Sequence, residues 1–260
     1  MRPPRLMRSD SRRKKVDVRR GAVPGRAVAS VTAVTILALW LAAARPLNLV
    51  LFSVAGVVAM IAIALGLAAA SRFGRGATFS GAAAVRTRSR GEAAMRLVWS
   101  GLFGLVLGMA ILGILVFGLL PFEPALAARL RSRAGASALM PVALAFESSV
   151  LEEVVFRLLL LSCLVWLLGR GWRGDVVEAS PIVVWSAILV SSLAFGLVHL
   201  PSWISVAQAT PMLVSSVPVL NGMAGIALGQ VYWRWGLEAA VVCHFAADLA
   251  VQGIGPRLLT

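Results

Sequence analysis

The sequence predicts an all-α, polytopic integral membrane protein: a helical bundle of seven transmembrane helices, or eight if one long apolar stretch is divided. Three observations predict it. Of 260 residues, 59% are hydrophobic and only 14% charged, a balance that ordinary soluble domains do not have. Apolar runs long enough to cross about 30 Å of hydrocarbon recur at 27–44, 48–70, 95–120, 137–168, 181–200, 207–233 and 236–254. The basic residues lie mostly between these runs, and ten of the 25 Lys and Arg precede residue 27.

Taken in order, residues 1–26 form a basic tail suited to hold the N-terminus in the cytoplasm and to touch anionic lipid heads. No aromatic residue interleaves its basic ones, which argues against a nucleic-acid arm. The run at 27–44 leads into Arg45-Pro46 and not into a small-residue cleavage pattern, so it reads as a span and not as a signal peptide. Residues 71–94 carry Arg72, Arg75, Arg86, Arg88 and Arg90 and read as a cytoplasmic loop. The 95–120 run contains Gly104-Leu-Val-Leu-Gly108 and the 207–233 run contains Gly225-Ile-Ala-Leu-Gly229. Both patterns allow close helix approach, within the bundle or between two copies. The 137–168 run is longer than one upright helix needs: it is tilted, kinked near Pro141, or preceded by a re-entrant piece over 137–147, which gives the count of eight. In the 181–200 run, Leu200-Pro201 is expected to stop the helix. The chain thus divides into the tail 1–26, N-terminal helices 27–136, a core 137–254 and a short tail 255–260. Cys163 and Cys243 both sit in apolar runs, as small hydrophobes and not as a disulfide or a cysteine-based zinc site.

Ionisable groups inside membrane spans are expensive and are functional by default. Here they concentrate in the second half: Glu147, Glu152, Glu153, Arg157, His199, Glu238, His244 and Asp248. In an α-helix Glu153 and Arg157, four apart, lie about 40° from each other and can pair. Glu152 lies about 100° from Glu153 and shares that partner less easily. The spacing therefore assigns Glu153 and Arg157 a structural ion pair and leaves Glu152 facing a cavity as a general base or acid. His244 and Asp248 are again four apart, so the carboxylate is expected to accept the ring N–H and present the other nitrogen to a water, metal or substrate. His199 stands four after Phe195.

The ordered set Glu152-Glu153-x-x-x-Arg157, Phe195-x-x-x-His199 and His244-x-x-x-Asp248 resembles the CPBP intramembrane protease family, also called Abi or CAAX-protease-like. The resemblance covers about 137–254. It departs at Asp248, where eukaryotic members often carry Asn. It implies a membrane-embedded endopeptidase, of metalloprotease or metal-free glutamate type, acting on a membrane-associated peptide or protein. On this chain it implies catalytic Glu152, Glu153, His199, His244 and Asp248. Glu152 would activate a water that His199 helps to hold, while His244 and Asp248 stabilise the oxyanion or complete a metal site. Two His and a Glu form a competent zinc set, so Glu152, His199 and His244 are the candidate zinc ligands. The chain lacks His-Glu-x-x-His, so that signature does not decide the metal. The competing reading is a non-proteolytic immunity or scaffold factor, or a transporter relaying protons through its buried carboxylates. Nucleic acid is not an expected partner.

Charge bias gives an integral protein of a bacterial-type inner or plasma membrane with a cytoplasmic N-terminus. Glu152 and His199 then both fall in the outer half of the membrane. CAAX-type processing implies access from the cytoplasm, and an extra half-span at 137–147 would remove the conflict by inverting the later helices.

Overall fold

The computed structural model describes residues 25–43, 49–71, 90–132, 137, 139–169, 179–204 and 209–258. Residues 1–24 of the basic tail and residues 72–89 of the arginine-bearing loop lie outside the described residues.

The regular structure among the described residues is entirely helical, as the uninterrupted apolar runs require: in hydrocarbon every backbone group must be satisfied within its own segment. In chain order the helices are α1 (Gly25–Ala43), α2 (Leu49–Ser71), α3 (Arg90–Gly113), α4 (Pro124–Ser132), α5 (Leu139–Glu153), α6 (Ser162–Gly169), α7 (Pro181–Ile204), α8 (Pro211–Trp235), α9 (Leu237–Asp248) and α10 (Gly255–Leu258). Three π-helical stretches, Ile114–Leu119, Val154–Leu161 and Leu249–Ile254, continue α3, join α5 to α6, and join α9 to α10. Four helical segments are long and apolar enough to cross a membrane: Gly91–Leu119, Pro181–Ile204, Pro211–Trp235 and Leu237–Leu258. Val28–Trp40 and Gly56–Ser71 are shorter apolar helices.

The long 137–168 run proves to be one continuous helical rod from Leu139 to Gly169. No break occurs at Pro141, because it sits in the first turn of α5, where a missing N–H costs nothing. Among the described residues of the stretch 137–147, in which a re-entrant piece was expected, the helix is unbroken from Leu139. Pro201 likewise does not stop α7, which continues to Ile204 with the proline inside its last turn. The sequence reading also passed over α4, a short helix that buries Leu126 and Ala127 and exposes Arg131.

Small residues set the packing. A Cβ on Gly104 would collide with the carbonyl oxygen of Cys243, and one on Gly108 with that of Ala247, so α3 lies against α9 and runs parallel to it. Gly225 meets Ser192, Gly229 meets Ile188 and Gly196 abuts the Pro218 carbonyl, so α7 and α8 form an antiparallel pair. Both small-xxx-small patterns are thus used within the chain. Between α8 and α9 the chain reverses at Gly236 alone, whose φ of 99° is a conformation that a Cβ disfavours.

Two apolar clusters mark the two ends of the bundle. Ala70, Val165, Val184, Tyr232 and Leu237 belong to one; Leu119, Leu126, Leu213 and Val217 belong to the other, with Leu200 and Trp203 packed on it. Polar residues of α5, α7 and α9 gather between them.

Candidate active site

Glu152 and Glu153 are the last residues of α5, and a π-helical stretch begins at the next residue, as another does directly after Asp248. π-Helical turns recur at functional sites because the widened turn re-aims neighbouring side chains. Here the stretch after Glu153 carries Phe156 and Arg157. Glu153 and Arg157 are both fully buried, with Arg157 Nη1 3.2 Å from Glu153 Oε1, so the ion pair expected from their spacing is present. Arg157 Nη2 also donates to the Gly225 carbonyl at 3.3 Å, and its guanidinium carbon lies 4.4 Å from the centre of the Phe195 ring. These contacts offset part of the cost of burying a cation.

The histidines are organised from two directions. His199 Nδ1 lies 2.7 Å from the Phe195 carbonyl oxygen. A carbonyl only accepts, so Nδ1 carries the proton and Nε2 points onward. His244 Nδ1 lies 2.9 Å from Glu153 Oε1, which fixes the same arrangement there. Both Nε2 atoms then face one carboxylate oxygen: Glu152 Oε2 is 3.6 Å from that of His199 and 3.7 Å from that of His244. This Oε2 is enclosed and has no hydrogen-bond partner among the described side chains. Glu152 and His199 retain 27% and 20% of their side-chain exposure, so the cluster is open on one side while Glu153 is sealed. Phe195, 2% exposed, is the packing hub: its ring centre is 4.6 Å from that of His199, 5.8 Å from His244 and 5.2 Å from Phe156.

The structure corrects two expectations. Asp248 does not orient His244: its Oδ1 stands 3.8 Å from Nε2, beyond hydrogen-bond reach, and the Nδ1 proton goes to Glu153 on the neighbouring helix. Glu153 is consequently not confined to its ion pair, since one carboxylate oxygen serves Arg157 and His244 together. Asp248 instead accepts from Ser148 Oγ at 2.5 Å. Ser148 was not singled out from the sequence, although it lies one turn before Glu152 on the same face. Glu238 is buried in the first turn of α9, six residues before His244, and is not drawn into this cluster.

A metal site was one expectation for Glu152, His199 and His244. Among the described residues no group of three or more His, Cys, Asp or Glu side chains forms a set that could hold a metal ion as arranged.

Among the described residues, one polar cluster in a bundle of apolar helices joins a carboxylate to two oriented histidines, side chains of the kind that hydrolysis inside a membrane would need. Residues 134–250, which include every member of that cluster, match the family model described as "Type II CAAX prenyl endopeptidase Rce1-like". Over this stretch the chain is similar to the CAAX-protease-like (CPBP) family, in agreement with the resemblance of its motifs. No curated protein and no solved structure matches the chain.

Proposed function

We propose that the protein is an intramembrane endopeptidase that hydrolyses a peptide bond in or next to the bilayer with a water activated by Glu152. The observation that supports this most is the convergence of both His Nε2 atoms on the enclosed Glu152 Oε2. Glu152 Oε2 and His199 Nε2, two acceptors 3.6 Å apart, call for a proton donor between them, and a water supplies a hydrogen to each.

In the first step water donates one hydrogen to Glu152 and hydrogen-bonds His199 Nε2, which aims its lone pair at the scissile carbonyl carbon. The O–C bond forms, Glu152 takes the proton, and negative charge collects on the carbonyl oxygen. A neutral Nε2 cannot donate to that oxyanion, so the stabilising group is His244 as an imidazolium. Glu153, Glu152 and Asp248 face its ring at 2.9, 3.7 and 3.8 Å and offset that charge. The tetrahedral intermediate collapses: the C–N bond breaks, Glu152 returns its proton to the leaving nitrogen, and the new carboxylic acid gives up the water's remaining proton to His199 Nε2, leaving a carboxylate and an amine. Arg157 and Glu153 keep His244 in register throughout.

Seven membrane crossings complete this reading: the four long spans, α1, α2, and the Leu139–Gly169 rod, which has the length to cross but carries Glu152, Glu153 and Arg157.

The decisive experiment measures cleavage of membrane peptides by purified detergent-solubilised protein, comparing wild type, Glu152→Gln and His244→Ala, each with and without chelator. Both substitutions should abolish turnover while the protein stays folded, and chelation should leave wild type active. Loss on chelation that zinc reverses transfers the water to a metal. Cleavage that survives both substitutions, or none from folded wild type, supports an immunity, scaffold or transport role instead.

A further inference from the structure

We propose that Ser148 is a positioning residue of this site, its hydroxyl holding Asp248 against α5 so that the carboxylate stands beside His244 without closing on it. Its catalytic consequence rests on the proteolytic reading; the contact itself rests on geometry alone.

Asp248 lies one helical turn after His244, a spacing at which the two side chains can meet directly. They do not: Asp248 Oδ1 stops 3.8 Å from His244 Nε2, while Oδ2 accepts from Ser148 Oγ at 2.5 Å. A serine hydroxyl has one proton to give. The Leu144 and Ala145 carbonyls lie at 2.9 Å and 3.2 Å from the same oxygen, but the carboxylate is nearest and the stronger acceptor. Ser148 precedes Glu152 by one turn, so one face of α5 carries both the proposed base and this clamp. On the other side of Glu152, Glu153 accepts from His244 at 2.9 Å. Two hydrogen bonds therefore pin α5 to α9, with Glu152 between them.

Without the hydroxyl, Asp248 is free to swing onto His244 Nε2. That nitrogen faces Glu152 and, in the proposed reaction, donates to the oxyanion. A carboxylate hydrogen-bonded to it blocks that use without altering the surface that receives substrate. The expected signature is lost turnover at unchanged KM.

The test compares wild type, Ser148→Ala, Ser148→Thr, Asp248→Ala and the Ser148→Ala/Asp248→Ala double variant. Each is assayed for kcat and KM on a cleaved membrane peptide, for thermal unfolding in detergent, and by ¹⁵N NMR of the two histidine rings. Ser148→Ala should lower kcat about tenfold or more, in the range typical of partners that orient functional ligands, with KM and Tm unmoved. Ser148→Thr should restore it, and the double variant should be no worse than Asp248→Ala. Full activity of Ser148→Ala, or losses that multiply in the double variant, overturns the proposal. Should folded wild type cleave nothing, the proteolytic reading fails and the NMR still decides: His244 ring signals that move in Ser148→Ala while those of His199 stay support the clamp, and unmoved His244 signals overturn it.

Discussion

Glu153 accepts from His244 and pairs with Arg157 through a single oxygen, so the stability of the site and its alignment are one quantity at the scale of residues. Arg157→Ala leaves a carboxylate buried without a cation, which typically costs about 3–5 kcal/mol. The expected outcome is a marked drop in thermal unfolding temperature in detergent together with lost cleavage. Adding Glu153→Gln to Arg157→Ala removes the stranded charge and should recover much of the stability, because Gln keeps an acceptor for His244 Nδ1. Unequal recovery of activity and stability would separate the pair's two roles. Phe195 poses a related case. Phe195→Leu keeps an apolar side chain but removes the ring that touches both histidines and Arg157. Turnover should fall more than stability, read by comparing kcat with Tm.

At the scale of elements, the placement of His244 depends on a helix that contributes no charged group to the site. Gly104 and Gly108 bring α3 against the carbonyls of Cys243 and Ala247, the residues immediately preceding His244 and Asp248. Gly104→Val and Gly108→Val should push α9 away and abolish cleavage, with unfolding shifted to lower temperature. Gly113→Ala, in the same segment, meets no atom within 4 Å and should be neutral or stabilising, since Ala exceeds Gly in helix propensity by about 1 kcal/mol. Equal effects at all three positions would mean that helix propensity and not close approach governs α3. The π-helical stretches after Glu153 and after Asp248 act at this scale too, by setting where the following residues point.

For the whole molecule, the unbroken Leu139–Gly169 rod decides how the charge bias is to be read. His199 lies five residues from the end of α7 that packs beside Leu213 and Leu126. Val31 near the start of α1 and Ala70 at the end of α2 belong to the cluster at the opposite end, and in sequence these helix ends adjoin the basic tail and the arginine-bearing loop. With the N-terminus on the cytoplasmic side, as the positive-inside rule predicts, His199 would lie nearer the opposite membrane face. In cells expressing single-cysteine variants, a cysteine at Ser137 should react with a membrane-impermeant maleimide applied from outside, and one at Ser180 should not. The reverse pattern would place the site on the cytoplasmic side, where a CAAX-type tail could reach it.

Much of this was legible in the chain alone, for definite reasons. Membrane spans announce themselves because hydrocarbon tolerates only long apolar helices. The ionisable Glu152, Glu153, Arg157, His199, His244 and Asp248 stand out against that background, and the Glu153–Arg157 pair follows from helical periodicity, a local property. Partner choice between helices is not local. His244 is equally well spaced for Asp248, yet its Nδ1 proton goes to Glu153, because packing of α9 against α5 brings that carboxylate to 2.9 Å and leaves Asp248 to Ser148. By itself the sequence determined which residues are charged, how far apart they sit along each helix, and that they must find partners out of water. Which partner each one found was decided only when α3, α5, α7 and α9 packed, since hydrogen bonds between helices depend on distances that no single helix contains.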